Sequence, residues 1–598
     1  MNGLLNRIGV SRVVSNGLGQ LDDMGITQNG FIGSNFMARQ KIILAAYHPR
    51  SVFNSRLWLL CFFVIFLGPI GPATANEFGP KDAPIPSYAD LEKAGAVIGE
   101  ILIAPQDIFD VNDPAENKML FRLANSLHIN TRPDVIRRSL LFKSDEPLSA
   151  RLIEESERLL RNNRYIYDVN IVPVAYHNGI VDLEVITRDT WSLDPGISFS
   201  RAGGSNSAGL SFKEYNVLGS GIFLGLSRGS NVDRSGNEIE IKNSHAFGGW
   251  TDISLTHAKY TDGKRQALSI INPFYALDKR WAAGVSVSQD QRIDSVFTSG
   301  IMTGQYSHKQ KAAEVFGGWS DGLIDGWTKR SSIGLTFQDD AYRLDPVRLT
   351  PAVLPPDQRT VAPFFRYEVI EDGYQKLKNR DQIERPEYVA MGFQSRVQVG
   401  RAMTGLGSTD NFWTYTGSIS KGFERASGST LLTSGSFFGA HGGSSPRARQ
   451  VGGLARYYLP QGGHAKFFVS VSGDIAHPLP GGELLLGGDN GLRGYPLRYQ
   501  SGNRRALVTA EQRVYSDWYP FNLFRVGGAA FFDVGRAWGG ANQNSDNPGW
   551  LTDVGFGLRI LSARSAFGNV LHIDLAFPLN RTEKIKTVQF LVKTHISY

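Results

Sequence analysis

From Asp194 to the last residue, side chains alternate between apolar and small or polar, and helical spacing largely disappears. A period of two belongs to an extended strand with one apolar and one polar face. In Trp281–Ser288, Ala283, Val285 and Val287 face one way while Gly284, Ser286 and Ser288 face the other. In Lys466–Asp474, Phe467, Val469 and Val471 oppose Ser470, Ser472 and Asp474, and the pattern returns from Val588 to Tyr598. Turn chemistry at Ser235-Gly236, Gly248-Gly249 and Asp262-Gly263 separates the runs. Prolines 346, 351, 355, 356 and 363 remove ladder donors, so that stretch is expected to be one long loop. Such a pattern confines residues 194–598 to an all-β body: a sandwich, a β-helix or a barrel.

The start of the chain selects among these. Residues 57–70 read LWLLCFFVIFLGPI, an apolar run preceded by Arg50 and Arg56 and followed by Ala73-Thr74-Ala75. A short apolar run with basic flank and A-x-A site is a secretory signal, and it falls short of the roughly 20 residues a spanning helix needs. Residues 1–75 are therefore expected to be an N-terminal extension and signal peptide, with Met37 the more natural initiator, and 76–95 a linker. The one cysteine of the chain, Cys61, lies in the signal, so disulfides and cysteine-ligated metals are excluded from the mature part. No later stretch of 18 residues is apolar enough for a helix to cross a bilayer. An exported chain with alternating strands and 11% aromatics then satisfies its backbone in lipid as a closed barrel. The formal charge of +7 is not a nucleic-acid footprint: residues 1–75 carry six Lys/Arg and two Asp/Glu, which leaves +3 interleaved over the rest.

Residues 96–193 follow a different grammar. Val97–Ile103 reads as a strand. Pro133–Phe142 and Ser149–Arg161 have helical spacing, with Leu152, Ile153, Ser156, Leu159 and Leu160 on one face. Ile166–Val174 and Gly179–Arg188 are strands joined by a turn at Asn178-Gly179. The order is β-α-α-β-β, with an extra segment at 106–128 after the first strand.

Gly491-Leu492-Arg493-Gly494-Tyr495-Pro496 closely resembles the (V/I/L)-R-G-(F/Y) loop motif of the BamA/TamA outer-membrane assembly superfamily, the bacterial surface antigen barrels preceded by POTRA domains. Its companions stand in the expected order: Glu511 in Ala510-Glu-Gln-Arg-Val, Phe532-Asp533-Val-Gly535, Gly555-Phe-Gly557-Leu-Arg559, and a last strand ending on an aromatic. Glu214-Tyr-Asn216-Val-Leu218-Gly219-Ser-Gly221 looks like the family's second hairpin, and residues 96–193 resemble a single POTRA unit. The resemblance implies an α+β POTRA-like domain followed by an all-β transmembrane barrel of 16 antiparallel strands over 194–598. Housekeeping assembly factors of the family carry several POTRA units and two-partner secretion transporters carry two, whereas one is visible here. The terminal residue is Tyr598, where Phe is commoner.

Roles follow as expectations. By alternation Asp533 points into the lumen with Phe531 and Gly535, and Glu511 shares a face with Leu507, Thr509 and Arg513. Leu492, Arg493, Gly494, Tyr495 and Pro496 would form a lumen loop, Arg493 bridging to Asp533 with Glu511 as second acceptor, because an unpaired guanidinium away from water is costly. Gly196 and Gly203 on the first barrel strand and Phe590 and Tyr598 on the last would form a weak seam, since glycine weakens a strand. Ile166, Asp168, Asn170 and Val172 would offer a client-binding edge for β-augmentation. The implied activity is insertion or translocation of client polypeptides at the outer membrane, with the POTRA-like domain in the periplasm; a two-partner-secretion-type transporter, a lipid-transfer barrel and a passive porin stay open. Partners would be outer-membrane lipid, an unfolded or extended client and periplasmic or lipoprotein subunits, with no nucleic acid. No enzyme is expected and no cofactor. G-x-S-x-G occurs at Gly225–Gly229 and Gly318–Gly322, but neither is followed by a helix, and no H-E-x-x-H or phosphate loop is present.

Overall fold

The computed structural model describes residues 85–595 apart from 203–204, 232, 299–300, 445–447, 478–482, 540–548, 567–569 and 582–584. The signal, Gly203 and Tyr598 lie outside the described residues.

The N-terminal unit is a three-stranded sheet under helices. Its elements are α1 (Tyr88–Lys93), β1 (Val97–Gln106), α2 (Met119–Leu127), α3 (Pro133–Arg138), α4 (Ala150–Arg161), β2 (Ile166–His177) and β3 (Ile180–Asp189). The sheet order is β1-β3-β2, with β1 parallel and β2 antiparallel to β3. Strict alternation in β3 buries Val181, Leu183 and Val185 completely, and these meet Ile136, Ile153 and Leu160 from the helices. Asn178 and Gly179 both take positive φ, which a two-residue turn between right-twisted strands requires. Pro133 opens α3 in its first turn, where a missing N–H costs nothing. The stretch expected as a linker already belongs to this unit: α1 is capped by Ser87 and buries Leu91 in the same core.

The remainder closes into a barrel in which every strand pairs with its sequence neighbour in the wall. Among the described residues the wall has twenty strands, not the sixteen expected from the resemblance. Several connections are only two residues long, such as 261–262 and 325–326, so chain length allotted to outer loops forms four further strands. The count is even, so the first strand (Leu193–Ala202) leaves from the end that carries the N-terminal unit and the last (Gln589–His595) returns there. That end is called near, the opposite one distal.

Outward faces carry a continuous apolar band that includes Val285, Val287, Val315, Ile333, Phe365, Val471, Phe532 and Phe556, all exposed. Trp281 faces Trp319 across adjacent strands at the near border of the band, with Trp327 alongside. An apolar band edged by aromatics is what a bilayer selects. No helix among the described residues is long and apolar enough to cross a membrane.

Two local expectations change. Pro363 lies inside a wall strand, Gln358–Glu371, and not in the loop that holds the other four prolines. Pairing to the strand Gln394–Ala402 starts only at Phe364, so the missing N–H falls just where that ladder has not begun. Ser235-Gly236 opens a strand instead of making a turn; a Cβ at Gly236 would stand 2.3 Å from the Tyr260 ring, so glycine is there for close approach.

Candidate functional site

The connection between the strands Ala465–His477 and Arg504–Tyr515 folds inward from the distal end. Leu484–Leu486 pairs with Gln500–Gly502 to form its neck. At its tip Gly491 and Leu492 both have positive φ, a reversal that delivers the next side chain toward the wall. Leu492 and Tyr495, both fully buried, anchor the tip in a cluster with Leu486, Ala537, Leu551 and Ile585. Tyr495 also donates its hydroxyl to the Thr552 carbonyl at 2.9 Å. Pro496 is half-buried, and its carbonyl leaves no room for a side chain at Gly487.

Arg493 is 1% exposed. Its Nε and Nη2 donate to the two oxygens of Asp533 at 2.7 and 2.9 Å, a bidentate fork. Nη1 donates to Glu511 at 2.7 Å and to Asp574 at 3.3 Å, and the guanidinium lies 3.4 Å from the centroid of the Phe531 ring. Next to it the Gly494 N–H donates to Asp553 at 3.0 Å, and a Cβ at 494 would stand 2.6 Å from the Asp553 Cβ. The loop residue and both acids singled out in the sequence are therefore within one hydrogen-bonded group. Asp574 and Asp553 were not foreseen, although each occupies an inward position of its strand by the same alternation that placed Asp533.

Two more arginines complete the group. Arg559 donates to Asp574 at 2.5 Å and to Glu511 at 3.4 Å, and Arg513 donates to Glu511 at 2.7 Å. Arg513 reaches further, placing Nη1 3.4 Å from the main-chain carbonyl of Arg380.

Arg380 belongs to a second inward element, absent from the sequence reading. Between the strands Gln358–Glu371 and Gln394–Ala402, Tyr374–Lys378 pairs with Pro386–Ala390 as a hairpin that folds across the near mouth. Its turn enters the lumen. Arg380 donates to Thr430 at 2.9 Å, Asp381 accepts from Tyr458 at 3.0 Å and Arg456 at 3.3 Å, and Ile383 packs with Tyr515, Leu561 and Val570. Glu387 fastens the turn by accepting the N–H groups of Arg380 and Asp381, each at 2.9 Å. On its other side the hairpin grips the N-terminal unit: Arg385 donates to the Ile166 carbonyl at 3.2 Å, and the Arg158 guanidinium of α4 lies 3.8 Å from the Tyr374 ring centroid.

The first and last strands meet at one paired position among the described residues, Val592 opposite Arg201. The neighbouring joint between Val570–Pro578 and Gln589–His595 has seven. Gly196 lies on the first strand opposite Ser211, and Phe590 on the last opposite Leu575; both sit on strands that border this seam, though neither is the paired residue.

At β2 the outer edge is occupied. Ile171 accepts from Tyr88 at 2.7 Å and donates to Glu157 at 2.8 Å; Val169 accepts from Arg161 and donates to Asp168 at 2.9 Å. Main-chain groups alternate between the two sides of a strand, so those of Asp168, Asn170 and Val172 turn to β3. The edge groups are those of Val169 and Ile171, with the Ile166 carbonyl held by Arg385, and side chains cover them.

Ser227 and Ser320 of the two G-x-S-x-G matches both lie within wall strands, Ser320 donating to the Lys329 carbonyl. A register irregularity follows Ser320 in its strand. No group of side chains among the described residues is disposed to hold a metal ion.

An Omp85 superfamily domain model matches residues 216–594. Among solved structures the chain is similar to CdiB from Escherichia coli, with 13% identity over 84% of this chain and 76% of that one and a TM-score of 0.45. It is also similar to CdiB from Acinetobacter baumannii (14% identity, 83% and 74%, TM-score 0.42) and to BamA from Haemophilus ducreyi lacking POTRA domains 1-3 (13% identity, 83% and 84%, TM-score 0.39). No curated protein matches it.

Proposed function

Since the chain belongs to the Omp85 superfamily, we propose that this outer-membrane barrel helps client polypeptides into the membrane through the seam between its first and last strands. The near end with the N-terminal unit lies in the periplasm, and clients arrive there extended, with lipid and periplasmic subunits as further partners. The observation that carries the reading is the joint between the first and last strands, where Val592 opposite Arg201 is the one paired position among the described residues. A net main-chain hydrogen bond contributes about 1 kcal/mol, and an unmet one in lipid costs several, so the thinnest joint opens first and a client strand restores each bond as it pairs. No nucleotide is needed; the client's own folding drives the step.

The β2 edge enters this scheme as a covered site. A client strand adds to it only by displacing Tyr88, Glu157 and Arg161 from Ile171 and Val169. The double filling of the lumen speaks against a porin held open, because the distal loop and the mouth hairpin both cross the path of solutes. Release of both elements would make the lumen a conduit for a secreted partner, and the same experiment separates the two readings. Cysteines at Arg201 and Val592 should form a disulfide under oxidation that stops insertion of a urea-unfolded eight-stranded barrel into liposomes, with recovery on reduction. Unimpaired insertion by the locked protein overturns the seam route.

A further inference from the structure

The segment between β1 and α3 lies beneath the near rim of the barrel, and its helix α2 is docked by one face only. Phe121 stacks on Phe109 at 4.1 Å between centroids, and both pack with Ile108, Ala124, Trp191 and Leu523. Asn125 holds the Phe109 main chain through both its N–H and its carbonyl. The rim reaches back: Asn522 donates to the Ala115 carbonyl at 2.9 Å, and Arg564 pairs with Glu116. Trp191 stands two residues before the first barrel strand, and Arg564 lies in the connection after Leu551–Ser562, so α2 sits under the arc of wall next to the seam.

The rest of the helix is arranged for something other than water. At 100° per residue Met119, Leu123, Leu127 and Leu120 form one continuous arc beside the docked face, and they are 81%, 48%, 65% and 63% exposed. Ile129 follows at 52%. Arg122 and Ser126 lie beyond, and the helix carries no acid. Four large apolar side chains in a row on a short helix exceed the scatter of single surface hydrophobes. The occupant follows from what adjoins them. The rim connection that clasps α2 also presents Trp518 at 66% and Phe521 at 75% exposure, at the near end of the strand Phe524–Trp538. The helix is thus clasped by a rim connection that itself exposes two large aromatics below the apolar wall, with cationic Lys118 and Arg122 on the helix for phosphate headgroups.

We propose that α2 is an interfacial helix that seats Met119, Leu120, Leu123 and Leu127 in the lipid leaflet around the near end of the barrel, next to the seam. The proposal needs the barrel to sit in a bilayer but not that clients pass through the seam, so either fails without the other. A helix lying there displaces headgroups beside the joint between the first and last strands, and it fixes the tilt of the N-terminal unit against the membrane plane.

The test uses the mature chain, whose lack of cysteine permits single-site labelling. An environment-sensitive NBD probe at Leu123→Cys in vesicles of phosphatidylethanolamine and phosphatidylglycerol should emit at shorter wavelength than in detergent-free buffer reporters and be quenched about twofold by doxyl-labelled lipid. The same probe at Ser126→Cys should stay accessible to aqueous iodide. Leu120→Gln with Leu127→Gln should move the Leu123 probe into water, while heat-modifiable gel migration, unchanged, shows the barrel intact. Equal iodide quenching at 123 and 126 in vesicles overturns the proposal. So does a Leu123 probe that becomes shielded only when a periplasmic extract is added, which would make the occupant a protein.

Discussion

Arg493 donates hydrogen bonds to three carboxylates, and its consequences differ from those of a simple pair. Truncating one partner of a buried ionic group typically costs about 3–5 kcal/mol, because the remaining charges stay buried. Arg493→Ala should therefore free the loop, read as faster amide exchange across 484–502. Arg493→Lys should recover little, since a point charge cannot reproduce the fork onto Asp533. An exchange of charges between 493 and 533 should also fail to restore the loop fully, because an acid at 493 would face Glu511 and Asp574. Gly494→Ala should loosen the tip by about 1–3 kcal/mol through its clash with the Asp553 side chain, measurable in the same exchange experiment. At this scale the inward direction of Asp533 and Glu511 is legible in two-residue alternation around a motif. Asp574 and Asp553 obey the same alternation, but no motif draws the eye to them.

Among elements, the mouth hairpin is the one whose seat responds to acid. Burial, reinforced by the charge of Asp381, pushes the Glu387 carboxyl up to about 7 from its ordinary 4.5. A carboxyl raised in this way binds its proton more tightly when docked than when released. Docking should thus be firmest below the ordinary carboxylate range, weaken from there upward, and have lost this contribution above about 7. Protection of residues 374–390, corrected for the base-catalysed rise of intrinsic amide exchange, should be greater at pH 6 than at pH 8, and Glu387→Gln should flatten the difference. The covered edge of β2 gives a second expectation: Tyr88→Phe with Glu157→Gln should strengthen binding of an extended test peptide, read by fluorescence anisotropy. The strands and helices of the N-terminal unit were legible because Val181, Leu183 and Val185 alternate cleanly. The hairpin was not. Residues 372–393 are rich in charge without period, and Arg380, Asp381 and Arg385 gain their meaning only from wall and sheet residues distant in sequence.

For the whole molecule, alternation and the export signal suffice to give a barrel entered from one side, and the need to return there makes the strand number even. They do not give the number itself, because length divides between strand and loop in many ways, and here the turns are short. The strand tally and the filled lumen lead to a measurement. Wild-type protein in a planar bilayer should pass little current, deletion of 374–390 alone should give brief openings, and the deletion combined with Arg493→Ala should give a long-lived pore; a large steady conductance in the unaltered protein would contradict this.

The reach of Arg513 from Glu511 to the Arg380 carbonyl has a consequence for the cell. One cation steadies the seats of an upper and a lower stopper, so dislodging either slackens its counterpart. If the lumen serves as the conduit of the second reading proposed above, both stoppers would leave in one step and the bore would not stand half open.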